Sequence, residues 1–219
     1  MADYKKPDYW QLKARKEGYP ARSVYKLQEM DEKFGLLKNA HSAPSFRILD
    51  LGAAPGSWSL YILRKTAPHT AGGDARSHNG CFLVAADLSP LSRQYDSGLF
   101  GGCNFQFIQG DITDSAVADS IFSLGPYNLI ISDAAPPTTG NRLIDTTRSL
   151  ELAETVVTYT ENALAENGSL VVKLFQGGDS AELLKKMRAI FKTAKSYKPQ
   201  ACRGESFETY FLGTGKKKI

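Results

Sequence analysis

Apolar residues along this chain gather into short blocks separated by longer amphipathic stretches. Short runs rich in Val, Ile, Leu and Phe occupy 46–52, 81–88, 104–112, 127–133 and 168–175, and runs of this length predict buried strands. Between them, 55–67, 113–124, 144–166 and 179–192 read as helices. Upstream, 21–36 sets Val24, Leu27, Met30 and Phe34 roughly on one face and predicts another helix. Strand then helix, repeated, predicts an α/β fold with a parallel sheet covered on both faces. The last two strand-like stretches, 194–198 and 206–213, are joined by the polar, Gly-containing segment 199–205 with no helix between them. They are therefore expected to pair antiparallel.

The end of the first predicted strand carries the densest signal, Asp50-Leu51-Gly52-Ala53-Ala54-Pro55-Gly56-Ser57-Trp58-Ser59. Small residues let the backbone pass close to a ligand, and the free amides of the following helix supply donors. Pro55 is expected at the first helical position, where its missing amide hydrogen has no intrahelical partner. A dinucleotide turn would read Gly-x-Gly-x-x-Gly, and Ala54 stands where the second Gly should admit a pyrophosphate. A nucleoside ligand without phosphates fits better; a structural turn with no ligand is the other reading.

Composition narrows the class. A chain of 219 residues suits one α/β domain. It holds no run of about 18 apolar residues, and its first six residues are polar and charged, so neither a membrane span nor a secretory signal is expected. Cys81, Cys103 and Cys202 lie far apart without a Cys-x-x-Cys pair, which argues against a disulfide framework or a zinc site and makes a reducing cytoplasm the default. The net charge of +4 is uneven: residues 1–26 hold seven Lys/Arg against three acids, and 185–219 hold ten against two. Basic ends around an acidic centre suit a polyanionic partner, because phosphates neutralised by Lys or Arg release counterions. Solvated faces and a disordered basic tail at 215–219 are the plainer reading of any single lysine. The Gly-rich insert 68–80, with His69 and His78, is expected to be an exposed, mobile loop.

In an open parallel sheet, ligands sit beyond the carboxyl ends of the strands. Asp87 ends the second predicted strand, where a carboxylate could accept both hydroxyls of an adenosine ribose, and Asp111 follows the third, placed to accept from an adenine amine. Asp133 ends the fourth and Lys173 lies near the end of the fifth. Charges in apolar strands are costly unless paired or used. Burial lowers a lysine pKa and a neighbouring carboxylate raises it again, so Lys173 beside Asp133 is either a proton acceptor or a structural ion pair.

Several separated motifs resemble the FtsJ/RrmJ family of RNA ribose 2′-O-methyltransferases, over nearly the whole chain. The small-residue turn at 50–59 is similar to that family's S-adenosylmethionine site. The segment Glu17-Gly18-Tyr19-Pro20-Ala21-Arg22-Ser23-Val24-Tyr25-Lys26-Leu27 looks like its N-terminal helix start with a catalytic lysine. Ser132-Asp133-Ala134-Ala135-Pro136 looks like its aspartate motif, Val171-Val172-Lys173-Leu174-Phe175-Gln176-Gly177 like its second lysine motif, and Ser206-Phe207-Glu208-Thr209-Tyr210 like its closing strand. The resemblance implies a catalytic tetrad of Lys26, Asp133, Lys173 and Glu208, and S-adenosylmethionine contacts at Gly56, Trp58, Asp87, Asp111 and Asp133. From the residues alone, Lys26 reads as a solvated helix lysine, Glu208 as an edge-strand carboxylate and Trp58 as core.

The implied architecture is a doubly wound, Rossmann-like methyltransferase fold, a seven-stranded mostly parallel sheet with an antiparallel last strand. It would form one domain, with a basic helical segment at about 1–36. The implied reaction moves a methyl group from S-adenosylmethionine to a ribose 2′-hydroxyl, a uridine of large-subunit ribosomal RNA being the expected substrate. Lys173 is the expected base, and no metal is required. A cytoplasmic monomer that binds ribosomal RNA, free or within the assembled large subunit, is the matching expectation for partners. Three departures stand out: Ser57 where the family commonly has Gly, Pro137 where Asn is common, and the insert 68–80. Because Ser57 occurs in related tRNA-modifying enzymes, a tRNA anticodon-loop methyltransferase stays open. A non-catalytic RNA-binding assembly factor and an NAD-dependent oxidoreductase are further alternatives; Ala54 and the helix-free ending disfavour the last.

Overall fold

The computed structural model describes residues 7–40, 43, 45–67, 80–177, 179–204 and 206–218. The insert expected at 68–80 lies outside them except for Gly80. Seven strands form one sheet: β1 (Phe46–Leu51), β2 (Cys81–Asp87), β3 (Phe105–Gln109), β4 (Tyr127–Ser132), β5 (Leu164–Phe175), β6 (Phe191–Tyr197) and β7 (Glu208–Lys216). Their order is β3-β2-β1-β4-β5-β7-β6, with β7 antiparallel to both of its neighbours and the pairs from β3 to β5 parallel. The chain builds outward from β1 to β3, then returns to place β4 on the other side of β1. The crevice at this reversal is where open α/β sheets bind ligands.

Both sheet faces are buried, which is why the strands read as continuous apolar runs. Ile48, Leu83, Leu129, Ile131 and Val171 pack on one side with α1 (Tyr9–Lys16), α2 (Val24–Phe34) and α3 (Ser57–Thr66). Leu49, Val84, Ile130, Leu170 and Val172 pack on the other with α4 (Ser115–Ser123), α5 (Arg142–Ala163) and α6 (Ser180–Ile190).

The differences from the sequence reading have local causes. The basic N-terminal segment is two helices, and α1 begins at a reciprocal cap: Asp8 accepts from the Gln11 amide while the Gln11 side chain accepts from the Asp8 amide. Pro55 does not open α3. Gly56, at φ 104°, is the cap, and Pro55 sits in the turn before it, its carbonyl accepting from Ser92 N. The helix expected to reach residue 166 stops at Ala163, because Leu164 pairs with Tyr127 and starts β5. Leu164, Ala165 and Glu166 are good helix formers whose preference the sheet overrides. Finally, Gly215 and Lys216, expected in a basic tail, belong to β7; Lys216 is buried, and its ammonium donates to the carbonyls of Thr160, Glu161 and Leu164 at the end of α5.

Candidate active site

The carboxyl ends of β1, β2 and β4 meet at the small-residue turn. Gly52 has φ +75°, and a Cβ there would lie 2.5 Å from the Ala134 Cβ, so only glycine lets the turn after β1 touch the loop after β4. Asp87, closing β2, holds the turn from the other side: its Oδ2 accepts from Ala54 N at 2.9 Å and its Oδ1 from Ser89 N at 2.8 Å. Each carboxylate oxygen retains a second lone pair for a ligand hydroxyl. Asp111, just beyond β3, is exposed, and hydrogen bonds from the Thr113 amide and hydroxyl hold its carboxyl below the usual range.

The Trp58 side chain is built into the core. It is 2% exposed, its indole N–H donates to the Ser23 carbonyl at 2.8 Å, and its ring lies 6.0 Å from that of Tyr210. Its side chain therefore buttresses the start of α2, and the polar group it keeps for a ligand is its backbone amide in the first turn of α3. Ser57 works alongside it: the buried hydroxyl accepts from Ala21 N at 2.8 Å. Asp31, further along α2, accepts from Leu37 N, from the Tyr61 hydroxyl and from the Lys65 ammonium, fixing α2 to α3.

Anchored this way, α2 presents Lys26 to the end of the sheet, and the four residues singled out for catalysis form one connected cluster. Lys26 pairs with Glu208 through Oε1. Lys173 pairs with Asp133 at 2.9 Å through Oδ1 and also donates to the Asp133 backbone carbonyl. Tyr210 joins the pairs, its hydroxyl 2.7 Å from both Asp133 Oδ1 and Glu208 Oε1. Strand register explains the meeting, since Tyr210 stands opposite Lys173 and Glu208 opposite Phe175. Each lysine is 9% exposed, and lysines are almost never buried unless paired.

Electrostatics within the cluster favour the charged forms of Asp133 and Lys26. Burial pushes the Asp133 carboxyl up, but Lys173 and then Lys26, with the Tyr210 and Lys173 hydrogen bonds, outweigh it and hold the group below its ordinary value. Burial pushes the Lys26 ammonium down, and Asp133 and Glu208 more than reverse that. Tyr210, buried between two carboxylates, is pushed well above the usual phenol value and keeps its proton.

Three residues of this region were not singled out by sequence reading. Tyr210 could have been, because it follows Glu208 by two residues and so shares its face of the strand. Cys202, its thiol 3.7 Å from Glu208 Oε1, is raised to about 12 by burial and then by Glu208; it arrives from a loop with no pattern of its own. Asp50 is wholly buried, with Oδ2 accepting from Ser59 Oγ at 2.7 Å and Oδ1 without a partner among the described residues. Burial, only partly offset by Ser59 and reinforced by Asp133 and Asp87, raises its carboxyl to about 7.

Compared with known families, the chain matches the FtsJ-like methyltransferases over residues 19–216. The chain belongs to the FtsJ-like methyltransferase family. It is 47% identical to ribosomal RNA large subunit methyltransferase E of Treponema denticola, over 96% of this chain and 95% of that one. It is 42% identical to the protein of the same name from Borrelia garinii, over 94% and 95% of the two chains. A Plasmodium falciparum crystal structure described as a ribosomal RNA methyltransferase shares the fold, with a TM-score of 0.71 at 24% identity over 92% of this chain and all of that one. As a member of this family the protein is a methyltransferase. Among the described residues, no helix is long and apolar enough to cross a membrane.

Proposed function

We propose that this FtsJ-like methyltransferase moves the methyl group of S-adenosylmethionine to a ribose 2′-hydroxyl of large-subunit ribosomal RNA, at a uridine, as a cytoplasmic monomer. The observation that carries the reading is the connected Lys26–Glu208–Tyr210–Asp133–Lys173 cluster at the ends of β4, β5 and β7, with Asp87 and Asp111 following β2 and β3 across the topological switch. The relatives' shared name supports the choice of RNA. The Ser57 hydroxyl accepts from the Ala21 amide and so serves the packing of α3 against the approach to α2.

The residues at the turn fit S-adenosylmethionine. Asp87 and Asp111 are acceptors suited to ribose hydroxyls and an adenine amine, and the carboxylates of Asp87, Asp111 and Asp133 suit a ligand that carries positive charge and no phosphate. Gly56 caps α3 with its backbone in the left-handed region, where a Cβ would come 2.9 Å from the Phe100 ring. When bound, S-adenosylmethionine supplies an electrophilic methyl group on a cationic sulfur.

The chain's own residues prepare the hydroxyl. To act as a base Lys173 first releases a proton to solvent; the two N–H groups that remain match its two acceptors, Asp133 O and Oδ1, and the lone pair is left to take the 2′-hydroxyl proton. Asp133 then stabilises the ammonium that forms. Lys26, held charged, orients the ribose oxygens as a donor, Glu208 fixes Lys26, and Tyr210 keeps both carboxylates in register.

Labelled methyl transfer to large ribosomal subunits from cells lacking the enzyme tests this. Wild type is expected to label one 2′-hydroxyl, and Lys173→Ala to lose at least about a hundredfold in rate. Near-normal activity of Lys173→Ala refutes the base assignment. Failure of wild type to label the subunits, while S-adenosylmethionine still raises its Tm, refutes the substrate.

A further inference from the structure

Immediately outside the tetrad lies a rim that the methyl-transfer chemistry does not use. Phe175 follows Lys173 by two residues, so it lies on the same face of β5, about 7 Å further out. Its ring meets Phe207 with centroids 4.9 Å apart at 64°, and both rings are half-exposed. The Arg142 guanidinium lies 5.5 Å from the centre of the Phe207 ring. Next to Arg142, Leu143 and Ile144 are 73% and 41% exposed.

This rim is built rather than loose. Asn141 caps α5 through Leu143 N and Ile144 N, and Asp145 gathers the Thr139 amide, the Thr139 hydroxyl and the Gly140 amide, so the loop leading from Asp133 delivers Arg142 in a fixed position. On the other side, Gln176 N donates to Phe207 O at 2.7 Å, and the Lys198 ammonium donates to the Ser206 carbonyl at 2.6 Å. Two cations and two aromatic rings thus frame one exposed edge of the active site.

We propose that Phe207, Phe175 and Arg142 form a stacking site for an unpaired nucleobase next to the methylated ribose. The inference rests on the RNA reading above and extends it: the substrate would be held with that neighbouring base out of its helix. Bases freed from pairing stack on aromatic rings and on guanidinium planes, whereas a paired helix hides those faces. Both kinds of surface are present here, one strand step from the lysine that faces the hydroxyl. Positive charge at the rim suits the accompanying phosphates.

The test uses a single-stranded RNA oligonucleotide carrying 2-aminopurine, whose fluorescence is quenched by stacking, together with methylation of undermethylated large subunits. Wild type is expected to quench the single strand and not its duplex. Phe207→Leu, which keeps an apolar side chain, and Arg142→Ala, on a different element, are each expected to weaken quenching and to raise the KM for subunits about tenfold or more, without raising that for S-adenosylmethionine. If wild type methylates subunits but both variants retain its quenching and KM, the stacking site is wrong. If the variants lose activity on subunits while quenching is unchanged, the rim docks something other than a base and the proposal is equally overturned. If wild type methylates no RNA, the function reading itself fails, and this one with it.

Discussion

Two lysines pair with two carboxylates, each mostly buried, and the carboxylates meet on one tyrosine hydroxyl at the end of this sheet; such a group is stable only as a whole. Removing one partner of a buried pair leaves an uncompensated charge, which costs more than the pair contributes. Glu208→Gln is therefore expected to destabilise the protein by about 2–4 kcal/mol in urea unfolding, and the added change Lys26→Met to restore most of it. Asp50 behaves differently because its burden is its own proton. Its carboxyl titrates near 3.8 in the unfolded chain and at about 7 when folded. Between those values the folded state holds a proton that the unfolded state has released, so this residue's contribution to stability falls as pH rises from about 4 to 7 and stays low above. Asp50→Asn removes the titration. Its stability relative to wild type is expected to improve from pH 5 to pH 8, by about 1–4 kcal/mol at the upper end, and urea titrations at the two pH values that run parallel would contradict this. Of the residues involved, Asp133 and Lys173 were legible from sequence because both end apolar strands. Lys26 and Glu208 were legible only through the family's motifs, since nothing in a helix or an edge strand marks a partner 182 residues away.

Secondary-structure elements here are held in place by single polar contacts that their own sequences do not announce. Ser57, in the first turn of α3, serves the approach to α2 by accepting from Ala21 N. Ser57→Ala is expected to cost about 1–2 kcal/mol in unfolding free energy and to lower kcat more than the S-adenosylmethionine KM, because the amide loses its partner and Lys26 its anchor. At the opposite end of the sheet, Lys216 closes α5 by donating to three terminal carbonyls, and burial lowers its own pKa. Lys216→Met is expected to lower stability by about 1–3 kcal/mol while leaving the methylation rate near wild type, read from urea unfolding and subunit labelling. The apolar periodicity placed the strands and main helices to within a few residues. It misplaced Pro55 and the α5–β5 boundary, because a left-handed Gly56 and the pairing of Leu164 with Tyr127 are tertiary choices that propensity does not register.

On the scale of the whole molecule, folding joins the two basic ends of the chain. Arg22 and Arg203 both approach Asp8, Arg22 also reaches the Ala201 carbonyl, and Phe34 stacks edge-on against Tyr197 with Lys33 and Lys195 over the rings. A basic patch thus joins α2, the helix that carries Lys26, to β6. If it carries RNA phosphates, the joint change Lys33→Gln and Lys195→Gln is expected to weaken RNA binding and to flatten the dependence of log K on log salt by about one to two units, with the S-adenosylmethionine affinity unchanged. A salt slope equal to that of wild type would place the RNA elsewhere. The sequence by itself determined the alternation of strands and helices, the small-residue turn and the carboxylates that end the strands, because each depends on spacing within a dozen or so residues. Tertiary structure alone decided that Tyr210 joins Asp133 to Glu208, that Trp58 and Ser57 brace α2, and that an aromatic rim borders the tetrad. Those contacts arise from strand order and register, which bring together side chains whose separation along the chain carries no local signal.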